Sequence, residues 1–185
     1  MRKTVTSLFI SLDGVVDAQD DWQFAYLDDG TFSALTAAWD RVDAALMGRR
    51  SFQGFDEVRI ANPDSPVIGF LNRVRRYVVS TTLTSVAWPG STVLDGDVRD
   101  QLVRLKQQPG QDILVLGSPT LVRWMLGQEL LDEFALIILP IIVGSGARLF
   151  PRESAADPLT RLGLDLTNVK SLASGALQLT YRPAT

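Results

Sequence analysis

The stretch QDILVLGSPTLV, residues 111–122, decides how the chain is read. It opens on a continuous apolar run, turns at Gly117, and restarts at Ser118-Pro119. A hydroxyl at the cap position followed by proline at the first helical position is the signature of a helix start, and Gly127 is a matching stop. A strand that is apolar at nearly every position is buried on both faces, as happens when helices cover both sides of a parallel sheet. The unit is strand, glycine turn, helix.

The same unit recurs upstream in AALMGRRSFQGF, residues 44–55, where an apolar strand over 43–48 stops at Gly48 and meets Arg49, Arg50 and Ser51. SFQGF predicts one or two helical turns before Gly54. TVTSLFISL, 4–12, is rich in β-formers and predicts a buried strand closed by the Asp13-Gly14 turn. Residues 15–29 are acidic and aromatic without periodicity and predict a long loop. Phe32, Leu35, Trp39 and Val42 then recur at helical spacing, with Asp28 or Asp29 as the cap. RYVVS (76–80) and STVLD (91–95) predict strands, and Asp97 caps a helix carrying Val98, Leu102 and Leu105 on one face. EFALIILPIIVG, 133–144, predicts a long strand interrupted at Pro140, followed by the glycine-rich GSGARLF. The tail, 164–182, predicts two strands around a Ser174-Gly175 hairpin turn. The expected architecture is α/β: three layers, a mostly parallel central sheet with helices on both faces, a C-terminal antiparallel hairpin, and a single domain over 1–185.

Composition narrows the chemistry. The 185 residues are 46% hydrophobic and 21% charged, enough for a real core, and the net charge of −3 argues against nucleic-acid or membrane-surface binding through a general positive field. Local clusters, Arg49-Arg50 and Arg73, Arg75 and Arg76, remain candidate small-anion sites. The absence of cysteine and histidine removes disulfides, thiolate chemistry, His-based triads and the usual zinc ligands, so no metal is expected. Proton transfer must use a carboxyl, lysine, tyrosine, hydroxyl or water. The N-terminus is too broken by polar residues for a signal peptide, and no apolar run approaches the about 20 residues that span a bilayer. The protein is expected to be soluble and cytoplasmic.

Gly48 lies at the carboxyl end of a strand and before a helix N-terminus, where ligands bind in open α/β sheets and where free N–H groups suit phosphate. Gly48 admits a ligand to the backbone, Ser51 offers a hydroxyl, and Arg49 and Arg50 offer paired charge-assisted bonds. The alternative is a surface turn with solvated arginines. Gly117-Ser118 repeats the pattern, and Ser80, Thr81 and Thr82 end a third strand. Three such ends can clasp a ligand with several phosphates, such as a dinucleotide. Neither GxGxxG nor GxxxxGK[ST] occurs.

LMGRRSF, YVVSTTL and ILVLGSPTLVRWMLGQELLDEFALIILPIIVGSGARLF, in that order, resemble the dihydrofolate reductase-like superfamily. SLDGVV and the following W-x-F-x-Y-x-D-D-G resemble its branch related to the C-terminal reductase domain of bacterial riboflavin-biosynthesis RibD proteins. The resemblance implies an NADPH-binding α/β fold. Gly48, Arg49, Arg50 and Ser51 would contact the cofactor's phosphates, Ser80 would lie by the adenosine, and Gly117 and Ser118, with Thr120 just inside the helix, would form the diphosphate turn. The family often has a basic residue after that serine, where this chain has Thr81. This leaves NADH open beside NADPH, although Arg49 or Arg50 can also bind a 2′-phosphate.

The substrate should lie near the end of the first strand, walled by 13–28, with Asp13, Trp22, Phe24, Tyr26 and Asp28 as candidates. Trp22 and Phe24 either stack on a flat heterocycle or pack the loop against its own domain. Asp13 either serves a substrate nitrogen as binder or acid, or simply forms an Asp-Gly turn. Asp28 is either an acid or a helix cap. PIIVGSGARLF either closes over the ligand or packs in an interface. The apolar stretch 134–143 predicts a homodimer built partly on C-terminal strands. The functional expectation is an NAD(P)H-dependent reductase of a small pterin- or pyrimidine-like substrate by direct hydride transfer. The alternatives are a nucleotide-binding module without catalysis and an interaction protein whose turns are only turns.

Overall fold

The computed structural model describes residues 1–16, 22–151 and 161–184. The strands are β1 (Thr4–Ser11), β2 (Val42–Gly48), β3 (Arg75–Val79), β4 (Ser91–Leu94), β5 (Asp112–Val115), β6 (Glu133–Leu139), β7 (Leu164–Ser171) and β8 (Leu177–Pro183). They form one sheet in the order β4-β3-β2-β5-β1-β6-β8-β7. β1 to β6 are mutually parallel, and the β7–β8 hairpin is antiparallel to β6.

Helices α1 (Asp29–Thr36), α2 (Arg49–Ala61), α3 (Pro66–Arg73), α4 (Val98–Gln107) and α5 (Pro119–Gly127) cover the sheet. Alternation along β2 sends Leu46 to one layer and Met47 to the other, and both are fully buried. Leu46 joins Leu102 and Leu105 of α4 and Val122 and Met125 of α5. Met47 joins Phe52 of α2 and Ile68, Phe70 and Leu71 of α3. Burying each such side chain contributes about 1.5–3 kcal/mol. A third cluster sets Ala34 of α1 on Ile137 and Leu139 of β6, closed by Leu172 and Ala176 of the hairpin.

The three-layer α/β expectation holds, and several local expectations change. α2 does not stop before Gly54 but runs to Ala61, because the 13-residue helix is held by its packed face and one interior glycine costs only about 1 kcal/mol. α3 was absent from the predicted elements, although Ser65-Pro66 heads it just as Ser118-Pro119 heads α5. Val42 opens β2 instead of closing a helix, since α1 ends at Thr36 and a 3-10 turn, Trp39–Arg41, intervenes. Residues 17–21 of the predicted loop lie outside the described residues.

β6 ends at Leu139, and Pro140 marks a bend. Because β6 lies between β1 and β8, its apolar run is accounted for by the sheet and the helices. The homodimer expectation rests on the part after Pro140, which leaves the sheet at the bend and keeps Ile142 exposed. Among the described residues, no helix is long and apolar enough to cross a membrane.

Candidate functional site

The order β3-β2-β5-β1 brings the predicted motifs side by side along the carboxyl edge of the sheet. At about 4.8 Å per strand, the ends of β3, β2 and β5 span about 10 Å. The two glycine turns touch. The Gly48 N–H donates to the Gly117 carbonyl at 2.9 Å, and the Leu116 N–H donates to the Leu46 carbonyl at 2.9 Å. A Cβ on Gly48 would fall 3.1 Å from Ser118 Oγ, and one on Gly117 would fall 3.2 Å from Ser51 Oγ. Gly117 also sits at φ +101°, a conformation side chains rarely adopt. The glycines are required by this close approach of two turns. The Gly117–Ser118 peptide is cis.

The two helix starts above these turns differ. Ser118 caps α5, its hydroxyl accepting from the Leu121 N–H at 3.5 Å. Gly48 gives α2 no side-chain cap, so the first-turn N–H groups of α2 are open to an external acceptor. Arg49 and Arg50 are exposed beside them and form no ion pair with the described residues. Ser80 is buried at the end of β3, its hydroxyl accepting from the N–H groups of Thr82 (3.1 Å) and Leu83 (2.9 Å). That hydroxyl shapes the turn, and Thr81 stands exposed beside it. Thr120 is exposed on the first turn of α5 and accepts from Arg123 at 3.4 Å.

A cleft of about 310 Å³ opens beside these turns. Its floor is Ser7 and Phe9 of β1 with Leu114 and Leu116 at β5, and Leu35, Trp39, Phe55 and Phe70 wall it. Ser51 and Gly117 also line it, so the glycine turns and the cleft are continuous. Trp39 stacks on Phe70, with ring centroids 4.5 Å apart and 13° between planes. Among the described residues, the lining holds no Asp, Glu, Lys or Arg.

The expected substrate wall is rearranged. Trp22–Tyr26 form a 3-10 turn. Trp22 and Tyr26 pack on the Ile137–Leu139 cluster, and the Tyr26 hydroxyl reaches the Pro140 carbonyl at 3.4 Å. Phe24 is 58% exposed, and Gln23 from this turn lines the cleft instead. Asp28 is the α1 cap, accepting from the Thr31 N–H at 2.7 Å. That bond holds its pKa below the usual carboxylate value. Trp22, Phe24, Tyr26 and Asp28 are therefore not among the lining residues. Trp39, Phe55 and Phe70 are among the aromatic residues of the lining; sequence reading put Trp39 at helical spacing, which also reads as core, and left Phe70 outside every predicted element.

Asp13 is engaged on both oxygens. Ser11 Oγ donates to Oδ1 at 2.7 Å and the Val143 N–H at 3.0 Å, while the Gly144 N–H (3.0 Å) and Arg148 Nη2 (3.2 Å) donate to Oδ2. The Ser11 hydroxyl, with the Val143 and Gly144 N–H groups, holds its pKa far below the ordinary range. The backbone repeats the tie, with Leu12 to Ile141 at 2.8 Å, Val16 to Ala147 at 2.9 Å and Leu149 to Gly14 at 3.0 Å. The Asp-Gly turn thus fastens segment 141–149 to the end of β1 and sets Val16 at the cleft.

The Arg73, Arg75 and Arg76 cluster lies at the opposite end of β3. Arg76 is buried, donating to the carbonyls of Leu71, Val74 and Pro89 and to Ser91 Oγ, with its guanidinium 4.7 Å from the Trp88 ring centroid. Its anion-site reading is replaced by a structural one, because its donors are spent on carbonyls.

A parallel sheet with touching glycine turns at adjacent strand ends and an aromatic cleft beside them defines a reductase-type fold of the dihydrofolate reductase-like class. Residues 2–177 match the family model described as the RibD C-terminal domain, and the chain belongs to that family. Protein YyaP of Bacillus subtilis strain 168 is 27% identical over 187 residues, covering 97% of this chain and 94% of its own. A crystal structure from Shewanella sp. PV-4, provisionally named a riboflavin biosynthesis protein, superposes with a TM-score of 0.79 at 20% identity, covering 99% of both chains. Dihydrofolate reductase from Enterococcus faecalis, solved with NADP(H), superposes with a TM-score of 0.61 at 12% identity, covering 99% of this chain and 97% of its own.

Proposed function

We propose that this protein is an NADPH-dependent reductase of a small, flat heterocyclic substrate. The observation that carries the reading is the continuity of the uncapped α2 start and its two arginines, unpaired among the described residues, with the aromatic cleft, through Ser51 and Gly117. The open N–H groups suit a diphosphate, the two arginines suit a further phosphate such as the 2′-phosphate, and the space kept by the absent Cβ atoms of Gly48 and Gly117 suits a close backbone approach. When bound, NADPH supplies the hydride. The chain's share is to orient two flat rings and exclude water between them, which Trp39, Phe55, Phe70 and Phe9 are placed to do. Asp13 stands in this reading as the anchor of the cleft wall, since four donors keep it ionised.

Two measurements test the reading. NADPH at 100 times its dissociation constant should stabilise the fold by about 2.7 kcal/mol. The NADPH absorbance should then fall in the presence of one or more members of a panel of pterins, pyrimidines and carbonyl heterocycles. Absence of stabilisation overturns cofactor binding. Stabilisation without oxidation across the panel favours a nucleotide-binding module.

A further inference from the structure

Ser7 stands in the middle of β1, on the face it shares with Val5 and Phe9, which pack in the clusters of that side of the sheet. Its Oγ is buried and has no hydrogen-bond partner, and among the described residues it is the side-chain atom of which this holds. Thr4 and Thr6 on the same strand are both satisfied, Thr6 Oγ1 donating to the Val115 carbonyl at 2.7 Å and Thr4 Oγ1 bonding Asp132 Oδ2 at 2.9 Å. An unsatisfied buried hydroxyl costs about 1–3 kcal/mol, so a strand that satisfies its neighbours leaves Ser7 as an exception with a cause to be found.

The position of Ser7 supplies the cause. The residue is only half-buried, because it floors the cleft between Phe9 and Leu114, while its oxygen is turned out of solvent. It also borders a second, smaller pocket of about 200 Å³ beneath α1. Serine has three staggered rotamers, and a hydroxyl without a partner loses no hydrogen bond by rotating. Such a rotation is what would present Oγ to a ring lying on the cleft floor that Ser7 lines. The other described side chains of the lining with polar atoms are Gln23, Ser51 and Trp39 through its indole N–H, and none carries charge.

Resting on the reductase reading for its location, we infer that Ser7 is the substrate-orienting donor of the cleft. We infer also that the ring it receives is uncharged and bears a carbonyl or ring-nitrogen acceptor. A charged ring would enter a lining in which no described side chain offers an opposite charge, and burying an unpaired charge is costly. An uncharged ring stacks against Trp39, which the buried Phe70 backs, and takes an orienting hydrogen bond from the Ser7 hydroxyl.

The test uses three probes of one shape: 1-tetralone, with a neutral acceptor; naphthalene, with none; and 1-naphthoate, an anion. Their dissociation constants are measured by ligand-observed NMR on the full chain and on Ser7→Ala, with and without NADPH. Tetralone should bind most tightly and naphthoate most weakly. Ser7→Ala should weaken tetralone about five- to tenfold, leave naphthalene unchanged, leave the NADPH dissociation constant unchanged, and keep or raise the melting temperature. Naphthoate binding as tightly as tetralone overturns the uncharged-ring assignment. Equal effects of Ser7→Ala on tetralone and naphthalene overturn the role of the hydroxyl. Selective tetralone loss in a protein that fails to bind NADPH upholds Ser7 and rejects the reductase reading. NADPH oxidation with a reducible acceptor at unchanged KM in Ser7→Ala does the reverse.

Discussion

Replacing Arg49 and Arg50 together by alanine isolates what the start of α2 does. Both side chains are exposed and form no ion pair with the described residues, so the fold should lose little. Surface substitutions of this kind usually stay within about 0.5 kcal/mol. The effect on an anion is larger. A guanidinium about 4 Å from a phosphate oxygen gains about 1 kcal/mol where water screens the pair fully, and more as the ligand displaces that water. Two such contacts amount to about 2 kcal/mol, or about a 30-fold rise in dissociation constant. If both arginines hold the 2′-phosphate, NADPH takes that loss and NADH, which lacks the group, is little changed; if only one does, NADPH still loses about fivefold more than NADH.

Isothermal titration of both cofactors against both proteins measures this. The difference should shrink in 1 M salt, where the Debye length is about 3 Å. The double lysine variant should recover part of the affinity, because it restores charge without the planar fork. Equal losses for NADPH and NADH would refute the assignment to the 2′-phosphate and place the arginines at the shared diphosphate. No loss for either would refute the anion reading of the α2 start altogether.

Other outcomes follow from the same geometry. Gly117→Ala should lower stability by about 1–3 kcal/mol in urea unfolding and also weaken NADPH, because φ +101° disfavours a side chain and the new Cβ presses on Ser51 Oγ. Gly54→Ala is the contrast: it lies inside α2 with nothing within 4 Å of the added Cβ, and should raise stability by about 0.4–1 kcal/mol with cofactor affinity unchanged. Asp132→Asn should cost about 2–3 kcal/mol, discounted for a carboxylate about one-third exposed, since it releases the buried Lys106 ammonium held at 2.6 Å; NADPH binding should not move. Asp13 has a folded pKa depressed below its ordinary 3.8, so its share of stability is fully present above that value and is lost only as pH falls below it. A pH–rate profile should accordingly show no acid limb from Asp13 above about pH 4, and a limb near 6 removed by Asp13→Asn would contradict the anchoring role.

The sheet was legible because its signals are local. Strand, glycine, hydroxyl and helix follow one another at 42–61 and 112–127, and a parallel sheet places every such turn at one edge. Which turns become neighbours was not legible, since the order β3-β2-β5-β1 depends on long-range pairing. The lining of the cleft was not legible for a related reason. Trp22, Phe24 and Tyr26 are conspicuous in the sequence, but aromatic type does not say which way a 3-10 turn faces. Trp39 shares one helical repeat with Phe32 and Leu35, so its part exposure to the cleft looked like core spacing. Ser7 was within reach: strict alternation in Val5, Ser7 and Phe9 puts a hydroxyl on an apolar face, which is the anomaly a strand pattern can reveal.

The two edges of the sheet are built for different ends. At the amino edge, Arg2 pairs with Asp43, Arg41 with Asp112 and Glu133, and Lys106 with Asp132, each acid standing at or next to the start of a strand. These pairs fasten β1, β2, β5 and β6 where the chain enters the sheet, and Arg76 does the same for β3 through carbonyls. At the carboxyl edge, Arg49 and Arg50 have no ion-pair partner among the described residues, α2 is left uncapped, and the described cleft lining carries no charge. An ion pair there, Asp13 with Arg148, ties down a loop beside the cleft. Charges placed for stability are paired within the chain. Charges that await a ligand cannot be, because an internal partner would compete with the anion for the same donors. On this reading, variants of the paired amino-edge residues should move the melting temperature, while variants of Arg49 and Arg50 should move the affinity for an anion.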